Sequence, residues 1–115
     1  MLLERNDVDV NARERDNATP LHMAATHSNP DVAALLLSRD DIDVNARDRD
    51  GMTPLEHACR PNAARSVKAI LSRSDVDINA RNEEGKTALE VAREEGSTEC
   101  AELLRRVMAT SVSEK

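Results

Sequence analysis

A chain of 115 residues without Phe, Tyr or Trp must build any core from Leu, Ile, Val, Ala and Met, so it is one domain at most and suits thin, closely stacked layers of helix. Its formal net charge of −6 disfavours non-specific binding to nucleic acid or anionic membrane. No apolar run approaches the ~20 residues of a membrane helix, and Met1-Leu2-Leu3 runs straight into Glu4-Arg5-Asn6-Asp7 without a signal-peptide pattern. Cys59 and Cys100 form no CxxC and match no zinc spacing, so a cytoplasmic monomer with two reduced thiols is expected.

In chain order, the stretch Asp7–Ala25 returns at Asp41–Cys59 and again at Asp75–Arg93, a period of 34 residues. Met1-Leu2-Leu3 falls in register with Leu35-Leu36-Leu37, so residues 1–10 read as the end of a partial repeat. Three units follow at 11–44, 45–78 and 79–107, with 108–115 read as a frayed tail. Each unit reads as helix, turn, helix and extended link. Thr19 and Thr53 predict N-caps, since a hydroxyl can take an orphan N–H. Pro20 and Pro54 follow at N1, where the missing N–H costs nothing. The first helix of each pair is short, about seven residues. A second start comes at Asn29-Pro30-Asp31 and at Ser97-Thr98-Glu99. In the middle copy Pro61 forces Arg60 out of helical geometry, and Asn62 is expected to cap the next helix. Gly51 and Gly85 stand where a tight turn requires positive φ, with Asn17 in that place in the first copy. Leu35, Leu36, Leu55, Ile70 and Leu89 are the expected core. No alternating strand pattern appears.

The "TPLH" start at Thr19–His22, the paired helices and the "DVNA" link resemble the ankyrin-repeat family over residues 1–107. There are departures. The family's usual period is shorter by one, and the extra residue (Val8, Ile42 or Val76) is apolar in each copy, which points it inward. Asn6, Asp40 and Ser74 replace the glycine after the second helix. The motif histidine survives only as His22, with Glu56 and Glu90 in the other copies. The resemblance implies an all-α solenoid of about three and a half helix-turn-helix units, with hairpin-like connecting loops that project as fingers. One unit cannot bury its apolar face alone, so neighbours complete it. Arg105-Arg106 stand where earlier copies have Leu37-Ser38 and Leu71-Ser72, giving the last helix a polar outer side.

Catalytic and metal patterns are not found. His22 and His27 lie on different faces of a helix, and a three-histidine metal site would need an accident of stacking. "DRDG" at Asp48–Gly51 lacks the further acid that a calcium loop needs, because Ala46 holds that place. Nothing supplies a phosphate loop, an oxyanion hole or a strained nucleophile elbow. No catalytic residue, metal or cofactor is therefore expected.

The resemblance implies a non-catalytic protein-binding module whose partner, an extended segment or a folded protein surface, lies along the concave face of finger tips and first helices. Carried over position by position, that face comprises Arg13, Arg15, Asp16, Ala18, Thr26 and His27; then Arg47, Arg49, Asp50, Met52, Arg60 and Pro61; then Arg81, Glu83, Glu84, Lys86, Glu94 and Glu95. Arg13, Arg47 and Arg81 share one repeat position and should form a column, read as free to meet a partner's acids or carbonyls. Two alternatives stand beside this reading. The chain is a fragment or spacer of a longer ankyrin array, or a substrate for the asparaginyl hydroxylation that the family resemblance implies at the link residues Asn11, Asn45 and Asn79.

Overall fold

The computed structural model describes residues 10–113, with side chains described to residue 108. Six helices follow in order: α1 Pro20–Thr26, α2 Pro30–Leu37, α3 Pro54–Cys59, α4 Ala64–Leu71, α5 Ala88–Glu95 and α6 Thr98–Ser113. No strand occurs among the described residues. The first helices α1, α3 and α5 stack on one another, and so do the second helices α2, α4 and α6, giving two parallel layers. Met1-Leu2-Leu3 and Val8 lie outside the described residues.

The start signals act as expected. Thr19, Thr53 and Thr87 each accept from the N–H three residues on, and each has a reciprocal capping box, closed by His22, Glu56 and Glu90. Asn29 caps α2 by accepting from Val32 N–H. The helix α3 is six residues long, against seven in α1 and eight in α5, but not for the reason expected: Arg60 at its C-cap keeps helical geometry, with φ −67° and ψ −47°, although Pro61 follows it. Positive φ appears at Asn17, Gly51 and Gly85. At Gly51 the requirement is double, because a Cβ would also meet Glu83 N at 3.1 Å.

Three expectations are corrected. Asn62 does not cap α4: its backbone is left-handed, with φ 58°, and the N-cap is Ala63. Its carboxamide oxygen instead accepts from Cys100 N–H across the stack at 3.3 Å. Leu35 is 52% exposed rather than core, because it sits on the open face of the first repeat. Beyond residue 107, where fraying was expected, α6 continues to Ser113.

The core runs along the stack. Leu21, Leu55, Val67, Ile70 and Leu104 are essentially inaccessible, and Leu36 is buried. Leu89 is only partly covered, since no described repeat follows it. Ala24, Ala58 and Ala92 hold one repeat position and are all buried, which lets the first helices approach closely. The inserted link residue points inward in both described copies: Ile42 is buried and Val76 packs partly buried against the core.

The two ends differ. Met23, Val32 and Leu35 are exposed on the first repeat. Their counterparts at positions 66 and 100, Ser66 and Cys100, are buried, as is Val91. At the other end the faces that repeats 1 and 2 bury become polar: Ala25 and Cys59 are buried where Arg93 is exposed, and Leu37 is buried where Arg105 is exposed. The polar end thus involves Arg93 and Glu90 as well as the Arg105-Arg106 pair read from sequence.

Candidate functional site

The links are built from side chains that bond the next repeat. Asn11 Nδ2 donates to the carbonyl of Asp41 at 2.8 Å, and its Oδ1 accepts from Asp43 N–H at 2.8 Å. Asn45 repeats both bonds to Asp75 and Asp77. The link asparagine therefore ties one link to the next rather than closing its own hairpin. Arg13 Nη1 donates to the carbonyls of Asn17 (2.9 Å) and Arg47 (2.8 Å). Arg47 does the same to Gly51 (3.5 Å) and Arg81 (2.6 Å), while Arg81 reaches Gly85 (2.7 Å) and lies 3.8 Å from Glu90. The column forms as the spacing predicts. Its guanidinium groups donate to backbone carbonyls of the fingers, whereas the sequence reading left them free to meet a partner.

The fingers are closed by turn bonds, Glu14 N–H to Ala18 O, Asp48 N–H to Met52 O and Asn82 N–H to Lys86 O, and they join each other through Arg49 N–H to Asp16 O and Glu83 N–H to Asp50 O. Between the second and third fingers and the first helices lies a cavity of about 310 Å³. Asp50, Met52, Arg60, Glu83, Glu84, Lys86, Glu94 and Glu95, all singled out from sequence, line it. Val91, which the sequence reading passed over, shares its wall with buried Met52. Lys86 bridges Glu94 at 2.7 Å and Glu84 at 3.3 Å, and these contacts raise its pKa. Arg60 stands 3.9 Å from Glu95. The remaining predicted residues of the first finger lie outside this cavity. Arg15 is exposed at the first tip, Asp16 pairs with Arg49 at 3.0 Å, and His27 is exposed at the end of α1.

One cluster was not legible beforehand. His22, Asp48 and His57 bring their ligand atoms within 4.8 Å of one another. The donor set does not fit a cation. Thr19 N–H donates to His22 Nδ1 at 3.0 Å, which leaves the His22 proton on Nε2, and that nitrogen donates to Met52 O at 2.8 Å. No lone pair remains on the ring for a metal. Burial lowers the His22 pKa, against the pull of the Met52 carbonyl, so the ring is neutral. His57 bridges Thr26 Oγ1 at 3.0 Å and Asp48 Oδ2 at 2.6 Å, linking two repeats. Burial pushes Asp48 upward, but bonds from His57 and from the Met52 and Asp50 N–H groups outweigh it and lower its pKa.

A family model described as ankyrin repeats (3 copies) matches residues 1–82 and again 45–112. The chain belongs to the ankyrin-repeat family. Among curated proteins none matches it. Ankyrin repeats generally mediate protein–protein interactions, and the family is typically non-catalytic. In this ankyrin protein no described helix is long and apolar enough to cross a membrane. His22 bonds both Thr19 N–H and the Met52 carbonyl, whereas Glu56 occupies the same repeat position fully buried, with Oε2 lacking a partner.

Proposed function

We propose that the chain is a cytoplasmic, monomeric, non-catalytic interaction module that holds another protein along its concave groove. The observation that carries this is the cavity between fingers two and three, where eight of the residues chosen from sequence, buried Met52 among them, converge beside buried Val91. The groove's charge refines the partner. Asp50, Glu83, Glu84, Glu94 and Glu95 face only Arg60 and Lys86, and both cations already contact acids of the same groove. An extended segment bearing Lys or Arg suits this surface better than the acidic partner expected from the arginine column, whose guanidinium groups serve the stack. The purified chain would be used to capture partners from lysate, and affinity then compared for Glu83→Lys/Glu84→Lys and for Lys68→Glu on the exposed face of α4. Binding should fall at least about tenfold and lose its salt dependence in the finger variant alone. Equal loss in both variants, or in neither, would place the partner elsewhere.

A second reading has its own observation. Met23, Val32 and Leu35 are exposed at positions that later repeats cover fully or in part. That face suits a further repeat, as in a longer array. For the hydroxylation alternative, both amide atoms of Asn11 and of Asn45 are engaged in the stack.

A further inference from the structure

The second helices do not begin alike. Asn29 caps α2 through Val32 N–H at 3.3 Å. The eight-residue α4 has Ala63 at its N-cap and no side-chain cap. The neighbour able to serve, Asn62, is committed to Cys100 N–H. The N–H groups of Arg65 and Ser66, at the second and third positions of α4, consequently meet no protein acceptor among the described residues.

An independent observation lies at the same place. The Ser66 side chain is 1% exposed, and its hydroxyl has no hydrogen-bond partner. Buried hydroxyls are nearly always bonded. Ser66 stands where α2 has Val32 and α6 has Cys100, so packing alone does not call for a hydroxyl. It forms part of the wall of a cavity of about 390 Å³ at this helix end, lined by residues of all three repeats. Arg65 and Glu99 also line it, and Arg65 forms no ion pair with any described residue.

We propose that the start of α4 is a binding site for a phosphate group. Two free N–H groups sit at the positive end of the helix dipole, where anions are stabilised. The Ser66 O–H supplies a third donor, and the exposed Arg65 guanidinium a counter-charge that can swing over the ligand. Glu99 opposes the ligand and keeps the affinity low. The site lies at the helix–helix turns, the far end of the units from the fingers, and is independent of the groove reading. A free phosphate ion and a phosphate monoester present the same oxygens.

Titration of the ¹⁵N-labelled chain with sodium phosphate at constant ionic strength tests this. The Arg65 and Ser66 amide signals should shift and saturate. Ala63→Asp places a carboxylate on the same amides and should weaken phosphate binding at least about tenfold. Arg65→Ala, at an exposed site, should weaken it by a smaller factor, and Glu99→Gln should strengthen it. O-phosphoserine binding tighter than inorganic phosphate identifies an ester as the ligand; equal or weaker binding identifies the free ion. Shifts that stay linear with concentration, that map away from α4, or that survive unchanged in both Ala63→Asp and Arg65→Ala overturn the proposal.

Discussion

Glu56 shows how one side chain changes a repeat. Its Oε1 accepts from Thr53 N–H at 2.9 Å, closing the capping box, while Oε2 is buried without a partner. In the first repeat the equivalent ring donates to Met52 O. By repeat register Lys86 O corresponds to Met52 O, since the two accept the same finger bond, from Asn82 and Asp48 N–H at 3.0 Å each, but Glu56 Oε2 makes no bond to it. Only a protonated carboxyl can donate there. Burial raises the Glu56 pKa above the usual 4.5, and the Thr53 bonds only partly oppose this. Below that ordinary value the acid is neutral in both folded and unfolded chains, and its full contribution to stability is present. As pH rises, the unfolded chain ionises first, so stability falls until pH passes the raised folded value. Glu56→Gln keeps the acceptor and supplies a permanent donor. It should be more stable than the parent by about 1–3 kcal/mol at neutral pH, with the advantage shrinking toward pH ~4. Chemical denaturation across that range measures it; an advantage independent of pH would mean the parent carboxyl is not protonated in the fold.

Within α2, two adjacent leucines meet different surroundings. Leu36 is 8% exposed and points into the stack, whereas Leu35 is 52% exposed on the open side. Leu36→Ala should cost roughly 2–5 kcal/mol, and Leu35→Ala no more than about 0.5 kcal/mol. Thermal melts of the two variants should separate clearly, and similar melting would mean the helix face has been assigned wrongly. The sequence pattern counts both as apolar. Nothing in it says that the first repeat lacks a described neighbour on that side.

Asymmetry between the ends governs how the stack opens. Each layer is held by its neighbours, through packing and through the asparagine and arginine bonds that cross from link to link. Among the described residues the first repeat is covered on one side, with Met23, Val32 and Leu35 left exposed, and the last presents Glu90, Arg93 and Arg105. Amide hydrogens of α1 and α2 should therefore exchange faster than those of α3 and α4. Uniform protection along the chain would show instead that the stack opens as one unit.

The starts of α1, α2 and α3, the finger turns and the stacked architecture were readable from the chain, because each rests on local chemistry: a threonine or asparagine oxygen before a proline, a residue tolerant of positive φ, a period that brings like faces together. The arginine column was readable as a position but not as a role. Its carbonyl partners lie four residues away in its own finger and 34 away in the next, and only stacking sets that distance. The same holds for Asn62, an adequate cap by sequence that Cys100 draws across the repeat. It holds too for Ser66, whose hydroxyl is a buried orphan at the start of α4. A residue's own backbone decides what it can offer within a turn of helix; which of its bonds are made is decided by groups that only the folded stack brings near.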